Sequence, residues 1–308
     1  MIEEMNVLYH PIDALWELYF RSISYRKLVD NDLKKALELR AFRKLNLYPD
    51  LDHPKTINEK IMWLELNTDT ALWSEYADKY KVRLHIEKLG FGDYLPRLFG
   101  VWEHIDEINY NSLPEKFVLK CTHDCMSTML VHKKNMNRDK IKKYYTKKLN
   151  RQFGYSTCEP HYLKIKPLVI AEEWLDNSHK EISSSMIDYK VWCFDGKPFY
   201  IMTIHNRNKG TMKLNLFDTS WNLRNDFLRF TNHYRDGTGM VPKPTSINEM
   251  LEIAKCLAEG FPQIRIDFYD VEGKPYIGEM TFTSGAGCMT YFTDESQRKL
   301  GQEITLPQ

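Results

Sequence analysis

Apolar residues recur at helical spacing through residues 12 to 45, at Leu15, Leu18 and Tyr19 and again at Leu33, Leu37 and Phe42, with an interruption at Asp30-Asn31-Asp32. In "PKTINEKIMWLEL", Thr56 and Glu59 have the spacing of a capping box, opening a helix with Ile57, Ile61 and Leu64 on one face. Another helix is expected over about 70 to 89. The period then changes. "KFVLKCTHDCMSTMLVHKK" alternates as two strands around a polar loop, and Asn137 is placed to cap a helix with Ile141, Tyr145 and Leu149 as its apolar stripe. "KPLVIAEEWL" reads as a buried strand ending in two acids, and "DYKVWCFDGKPFYIMTI" as a hairpin turning at Asp195-Gly196. "TSINEMLEIAKCLAEGFP" is a helix with Ser246 and Glu249 as its capping box and Gly260 and Pro262 at its end. A last hairpin, "GFPQIRIDFYDVEGKPYIGEMTFTSGAG", follows it. Grouped hairpins interspersed with single helices indicate an α+β fold rather than a regular alternating α/β sheet.

Composition narrows the class. The 308 residues are 43% hydrophobic and 28% charged, enough for a large core, and no apolar run is long enough to span a membrane. The first twenty residues carry acids where a secretory signal would need bases, so a cytoplasmic protein is expected. Six irregularly spaced cysteines argue against a disulfide framework. A net charge of +1 gives no global field for nucleic acid, but two segments are locally basic. Eight bases against three acids lie between Arg21 and Lys44, and nine against one between Lys133 and Arg151. Each is read as a solvated helix face, with an anionic membrane or partner for the first, and a polyanionic substrate for the second, as the alternatives.

The last hairpin raises a chemical question, because Asp267 and Glu279 sit in apolar strands. Side chains two apart share a strand face, so Arg265 goes with Asp267 and Glu279 with Thr281. An odd-numbered loop around Gly273 would set Asp267 opposite Glu279 and Arg265 opposite Thr281, all on one face. A two-residue turn would separate the pairs. Facing acids repel and need a cation, and Mg²⁺ held by two carboxylates with water and phosphate would supply it.

Taken with Lys79 in "ADKYKVR", Lys120 in "LPEKFVLKCTHD", "TINEKIMWL", "IAEEWL" and "DYKVWCFDGKP", the hairpin forms an ordered series over about residues 45 to 300. The series resembles the ATP-grasp superfamily of carboxylate-amine ligases, and within it the TupA-like branch associated with teichuronopeptide and capsular polysaccharide biosynthesis. The resemblance implies an ATP-grasp fold in which ATP lies between two antiparallel sheets. It implies a helical N-terminal region and subdomain over 1–112, a central subdomain with the phosphate loop over 113–173, and a C-terminal subdomain with the metal site over 174–308. It places Lys79 and Lys120 on the ATP phosphates, the backbone of Glu173, Trp174 and Leu175, preceded by Glu172, on adenine, and Asp188 on the ribose. Lys190 becomes a further phosphate contact, Asp267, Glu279 and Thr281 the ligands of Mg²⁺ or Mn²⁺, and Arg265 the group that stabilises an acyl phosphate. The implied substrates are an anionic glycan or sugar carboxylate and an amine or amino acid. Implied associations are with the inner membrane face or with other polysaccharide-assembly proteins.

One stretch departs from the pattern. The loop after Lys120 has no glycine, and Met126 and Ser127 stand where related sequences carry glycines. Either the Ser127 and Thr128 hydroxyls replace amide donors, or the protein is a non-catalytic scaffold relative. Cys121, His123 and Cys125, with His132, raise zinc, but the spacing is not that of paired zinc ligands. Asp50 and Asp52 in "YPDLDHP" raise a glycosyltransferase DxD pair, without the nucleotide fold such a motif needs beside it.

Overall fold

In a computed structural model that describes residues 11–176, 179–208 and 210–307, the chain folds into two units, Met1–Thr68 with Asn177–Gln308, and Asp69–Asp176. The sequence segment ending at residue 112 therefore crosses the boundary at Thr68.

Helix α1 (Pro11–Phe20) precedes the first basic stretch, which α2 (Ile23–Asn31) and α3 (Leu33–Leu45) occupy. The expected interruption is real: the Asp32 carboxylate caps α3 by accepting from the Lys35 amide at 2.9 Å. A second break, at Ser22, was not expected; its hydroxyl caps α2 through the Tyr25 amide at 3.1 Å. The helical periodicity of Leu15 and Leu18 does not mark a core face, since both side chains are 66% exposed. Helix α4 (Ile57–Asn67) has the full Thr56/Glu59 capping box, and it buries Ile57 and Ile61 completely.

The second unit begins with α5 (Ala71–Ala77) and α6 (Lys81–Lys88), where one helix over 70–89 was expected. Asp78 makes the break. Its carboxylate accepts the amides of Tyr80 at 2.9 Å and Lys81 at 3.2 Å, giving those donors a partner outside the helical ladder. Strands β1 (Leu98–Trp102), β2 (Lys116–Cys121) and β3 (Met129–His132) follow, then α7 (Arg138–Leu149), capped by Asn137 as expected, α8 (Phe153–Thr157) and β4 (Val169–Glu173). The four strands form one antiparallel sheet in the order β1-β4-β2-β3, with Phe117, Leu119, Val169 and Ala171 packed against Ile141 and Tyr145 of α7.

The first unit resumes with β5 (Asp188–Phe194), β6 (Lys197–Asn208), β7 (Thr211–Asp218), β8 (Tyr234–Asp236), α9 (Ile247–Leu257), β9 (Gln263–Val271), β10 (Lys274–Thr281) and α10 (Asp294–Gln302). Its sheet runs β10-β9-β5-β6-β7-β8, antiparallel except for the β7/β8 pair. The Asp195-Gly196 turn joins β5 to β6 with φ of 46° and 74°, as a two-residue hairpin turn requires. One face packs on α9; the other carries Trp192, Met202, Leu214 and Leu216 into a core shared with Ile57, Ile61 and Leu300. Ser246 does not cap α9 with its side chain. Its hydroxyl instead donates to the Asp270 carboxylate, so the expected Ser246/Glu249 capping box does not form. Residues 177 and 178, which fall in the third sequence segment, lie outside the described residues.

Glu65 on α4 is 4% exposed, and burial pushes its carboxyl up to about 8 against the opposing pull of Arg40. A carboxyl whose native pKa is raised holds its proton more tightly when folded. Its contribution is therefore fully present below an ordinary pKa of 4.5 and is lost as pH rises towards 8. Glu65→Gln should remove on the order of a few kcal/mol of pH dependence, read as urea denaturation midpoints that converge between pH 5 and pH 8. A variant as pH-dependent as the parent would exclude Glu65 as the source.

Candidate functional site

The charged end of the first unit's sheet is built on the register of β9 with β10. Val271 pairs with Lys274, leaving Glu272 and Gly273 as a two-residue turn with φ of 54° and 83°. That turn alone would set Asp267 opposite Gly278. A bulge between Ile277 and Glu279 absorbs Gly278, and beyond it Glu279 pairs with Asp267 and Thr281 with Arg265. The odd residue is therefore in the strand and not in the loop, correcting the expected origin of the register while keeping its outcome. Space at the bulge is tight, since an added Cβ would lie 3.0 Å from Tyr269 Cε2 and 3.3 Å from the Asp267 carbonyl oxygen, so a larger residue requires Tyr269 to shift.

On β5, Lys190 pairs with Asp267, and Asp188 shares its face. Asp267, 5% exposed, accepts from Arg265 Nε at 2.6 Å and Nη2 at 2.9 Å, and its Oδ2 also pairs with the Lys190 ammonium. Burial would raise the Asp267 carboxyl, but Arg265 and Lys190 outweigh it and hold the pKa below the ordinary carboxylate value. Burial likewise opposes the charge on Arg265, yet Asp267 keeps that guanidinium above its ordinary value. Arg265 donates further to Ser284 Oγ at 2.9 Å and Thr281 Oγ1 at 3.1 Å. Asp188 accepts from Arg207 Nε at 2.9 Å and Nη2 at 2.5 Å, with Lys190 Nζ 3.9 Å from its other oxygen. Asp188 first, then burial, Asp267 and Glu279, hold the Tyr269 hydroxyl well above the ordinary tyrosine range, so the three carboxylates bear on one phenol. The donors at the hairpin are all oxygens, two facing carboxylates and the Thr281 hydroxyl, a set suited to a hard divalent cation.

The second unit carries its own cluster. Glu172, 4% exposed, is held by Arg83 Nη1 at 2.9 Å on one oxygen and by the Lys120 ammonium on the other. Arg83 also donates to the Pro96 carbonyl at 2.6 Å. Lys79, in the turn that Asp78 creates, donates to the Asp124 carbonyl at 2.6 Å. The glycine-free loop is fastened internally: Ser127 Oγ accepts from the Cys121 amide at 2.8 Å and donates to the buried Asp124 carboxylate, and Met126 takes up φ of 70°. The Glu173 amide donates to the Arg97 carbonyl at 2.8 Å, and Trp174 and Leu175 follow the strand end, with Lys116 Nζ 5.6 Å from the Trp174 ring centroid.

The rival readings lose their geometry. β2 ends at Cys121, which is buried while Cys125 is exposed, so they do not share a strand face. His123 lies against the Arg151 carbonyl at 3.2 Å. Asp50 accepts the His53 amide at 2.9 Å and Asp52 pairs with Lys34 at 2.6 Å, which makes that motif a tied surface turn.

A family model described as TupA-like ATPgrasp matches residues 59–305. The chain belongs to the TupA-like ATP-grasp family. No curated protein matches it. Among solved structures, D-alanine–D-alanine ligase from Bacillus anthracis complexed with ATP aligns at 13% identity over 68% of this chain and 54% of that one, with a TM-score of 0.37. The ATP-grasp ligase PsnB complexed with a phosphomimetic variant of its minimal precursor, Mg and ADP aligns at 11% over 73% and 58%, with a TM-score of 0.40. Phosphoribosylamine–glycine ligase from Thermotoga maritima aligns at 14% over 70% and 52%, with a TM-score of 0.40. This chain thus spans between about half and three fifths of those proteins' lengths, and no residue role is transferred from them.

Within this TupA-like ATP-grasp chain, sequence reasoning missed Arg83 and Arg207. Arg83 was visible, four residues after Lys79 in a stretch already singled out. Arg207 carried no local signal, since it lies in a register shift between His205 and Asn208.

Two stability measurements test these clusters. Gly278→Val should cost about 1–3 kcal/mol in chemical denaturation by overpacking against Tyr269, and an unchanged midpoint would mean that Tyr269 shifts without cost. Glu172→Ala leaves two largely buried cations facing each other and should cost about 3–5 kcal/mol, and adding Lys120→Met should recover part of that loss. Strictly additive losses would show that the two side chains are not coupled.

Proposed function

We propose that this protein is an ATP-dependent carboxylate–amine ligase acting on a sugar carboxylate of a glycan precursor. The observation that carries the reading is the register that sets Asp267 opposite Glu279 and Arg265 opposite Thr281 on one sheet face. Among the described residues no group of three or more His, Cys, Asp or Glu is placed to hold a metal alone. Two carboxylates and a hydroxyl suit Mg²⁺ that completes its shell with water and phosphate oxygens.

On this reading Asp267, Glu279 and Thr281 would hold the ion, which when bound offsets charge on the triphosphate. Lys190 and Arg265 supply fixed positive charge where the transferred phosphoryl group builds up negative charge. The substrate carboxylate oxygen bonds to the γ-phosphorus as the bond to the β-phosphate oxygen breaks, giving an acyl phosphate and ADP. The amine nitrogen then bonds to the acyl carbon, phosphate departs with its bonding electron pair, and the amine loses a proton to give the amide. No protein nucleophile is needed, because positioning and charge do the work. The acceptor class rests on resemblance to the polysaccharide branch of the family. The nine bases between Lys133 and Arg151 suit an anionic substrate.

Millimolar ATP with Mg²⁺ should raise the melting temperature by a few degrees, as expected of a ligand at about ten to a hundred times its Kd. Asp267→Asn with Glu279→Gln should abolish the Mg²⁺-dependent part of that shift. No shift with ATP would sink the ligase reading, and a shift with UDP-sugars and Mn²⁺ alone would favour a glycosyltransferase.

A further inference from the structure

Helix α1 packs inward through Phe20, which is 2% exposed, and its two acids flank that contact half-buried. Its two acids lie one turn apart and both turn towards α3, where Asp13 pairs with Arg43, and Glu17 Oε1 lies 3.0 Å from Lys44 Nζ. The opposite side carries Leu15 and Leu18, each 66% exposed, and Ile23 at the start of α2 is 72% exposed. Leu15, Trp16, Tyr19 and Leu39 line an apolar depression of about 370 Å³. A helix packed on a water-soluble protein ordinarily turns its leucines inward and its acids outward. One exposed leucine needs no account, but a helix that pairs both its acids across to α3 and presents two leucines to solvent beside an apolar depression does.

Two exposed bases adjoin these residues along the chain: Arg21 directly follows α1, and Lys27 lies one helical turn beyond Ile23 on α2. Lys27 has no side-chain partner among the described residues, and the 3.8 Å contact of Arg21 with Glu17 is a loose one on a side chain that is 65% exposed. Apolar side chains to bury, Trp and Tyr beside them and adjoining bases are the chemistry of a helix lying in an anionic lipid interface. A second copy of the chain is the poorer occupant, since a two-fold contact would bring Arg21 and Lys27 towards their own counterparts. No helix among the described residues is long and apolar enough to cross a membrane.

We propose that α1 and the start of α2 dock this protein on an anionic membrane surface. Leu15, Leu18 and Ile23 enter the headgroup boundary, Trp16 and Tyr19 lie at its level, and Arg21 and Lys27 meet lipid phosphates. The proposal stands independently of the ligase reading.

The test is co-sedimentation of the full chain with vesicles of phosphatidylcholine alone and of phosphatidylcholine with about one third phosphatidylglycerol. The parent should partition onto the anionic vesicles and lose that binding at high salt. The triple variant Leu15→Gln, Leu18→Gln, Ile23→Gln should bind at least about tenfold more weakly. Arg21→Gln with Lys27→Gln should weaken binding to the anionic vesicles alone. All five side chains are exposed, so the variants should keep the parent's circular dichroism and melting temperature. Absence of binding to anionic vesicles, or equal binding by the triple variant, would overturn the proposal. So would a parent dimer in solution that the triple variant dissolves, which would assign this face to self-association.

Discussion

A carboxylate that is 5% exposed must find its countercharge inside the protein, and Asp267 finds two, Arg265 along its own strand and Lys190 across the ladder. Much of the first unit's sheet is arranged around that requirement. Lys190 reaches Asp267 because β5 pairs with β9 residue for residue, and Arg265 reaches it because side chains two apart share a strand face. The same face continues into Trp192, Met202 and Leu214, so the charged cluster is the polar end of an otherwise apolar surface. Its position depends on one residue, Gly278, whose bulge turns an even hairpin count into an odd one and brings Glu279 to the side where Asp267 lies.

The second unit meets a similar constraint with other elements. Glu172 on β4 is held between Lys120 on the neighbouring strand and Arg83 on α6, the helix that restarts after Asp78. The same break frees Lys79 from a helix face and aims it at the loop after β2. That loop lacks glycine yet still takes a left-handed residue at Met126, held by Tyr144 Oη at 3.1 Å and Lys148 Nζ at 3.3 Å on its carbonyl. The hydrogen bonds of α7 thus offset a conformation that a glycine would adopt without strain.

Local chemistry was legible in the sequence where a single residue type decides it. Asp195-Gly196 announced its turn, Thr56 and Glu59 their capping box, and Asn137 its helix start. Features decided by a distant partner were not legible. Ser246 fits a capping box until Asp270, twenty-four residues away, takes its hydroxyl. The helix period over 70 to 89 does not show that Asp78 will satisfy two amides itself, and the period of α1 does not reveal which side faces inward. The register of Asp267 with Glu279 stays open in the sequence between an odd-numbered loop and a two-residue turn, and only the family resemblance favours the first. Its cause was missed because a bulge and a longer loop give the same side-chain count.

That count also fixes the charge of the site. Asp188, Asp267 and Glu279 supply three negative groups at the polar end of the sheet, and Lys190, Arg207 and Arg265 supply three positive ones. A divalent cation added alone would leave the cluster with an excess of two positive charges in surroundings that are largely buried, which is unfavourable. An anionic phosphate chain arriving with the cation removes that excess. It also gives the Lys190 ammonium a second partner once a cation competes for Asp267. On the proposed reading, the ion pairs that allow Asp267 to be buried would therefore disfavour a bare metal ion and favour a metal that arrives with its phosphates.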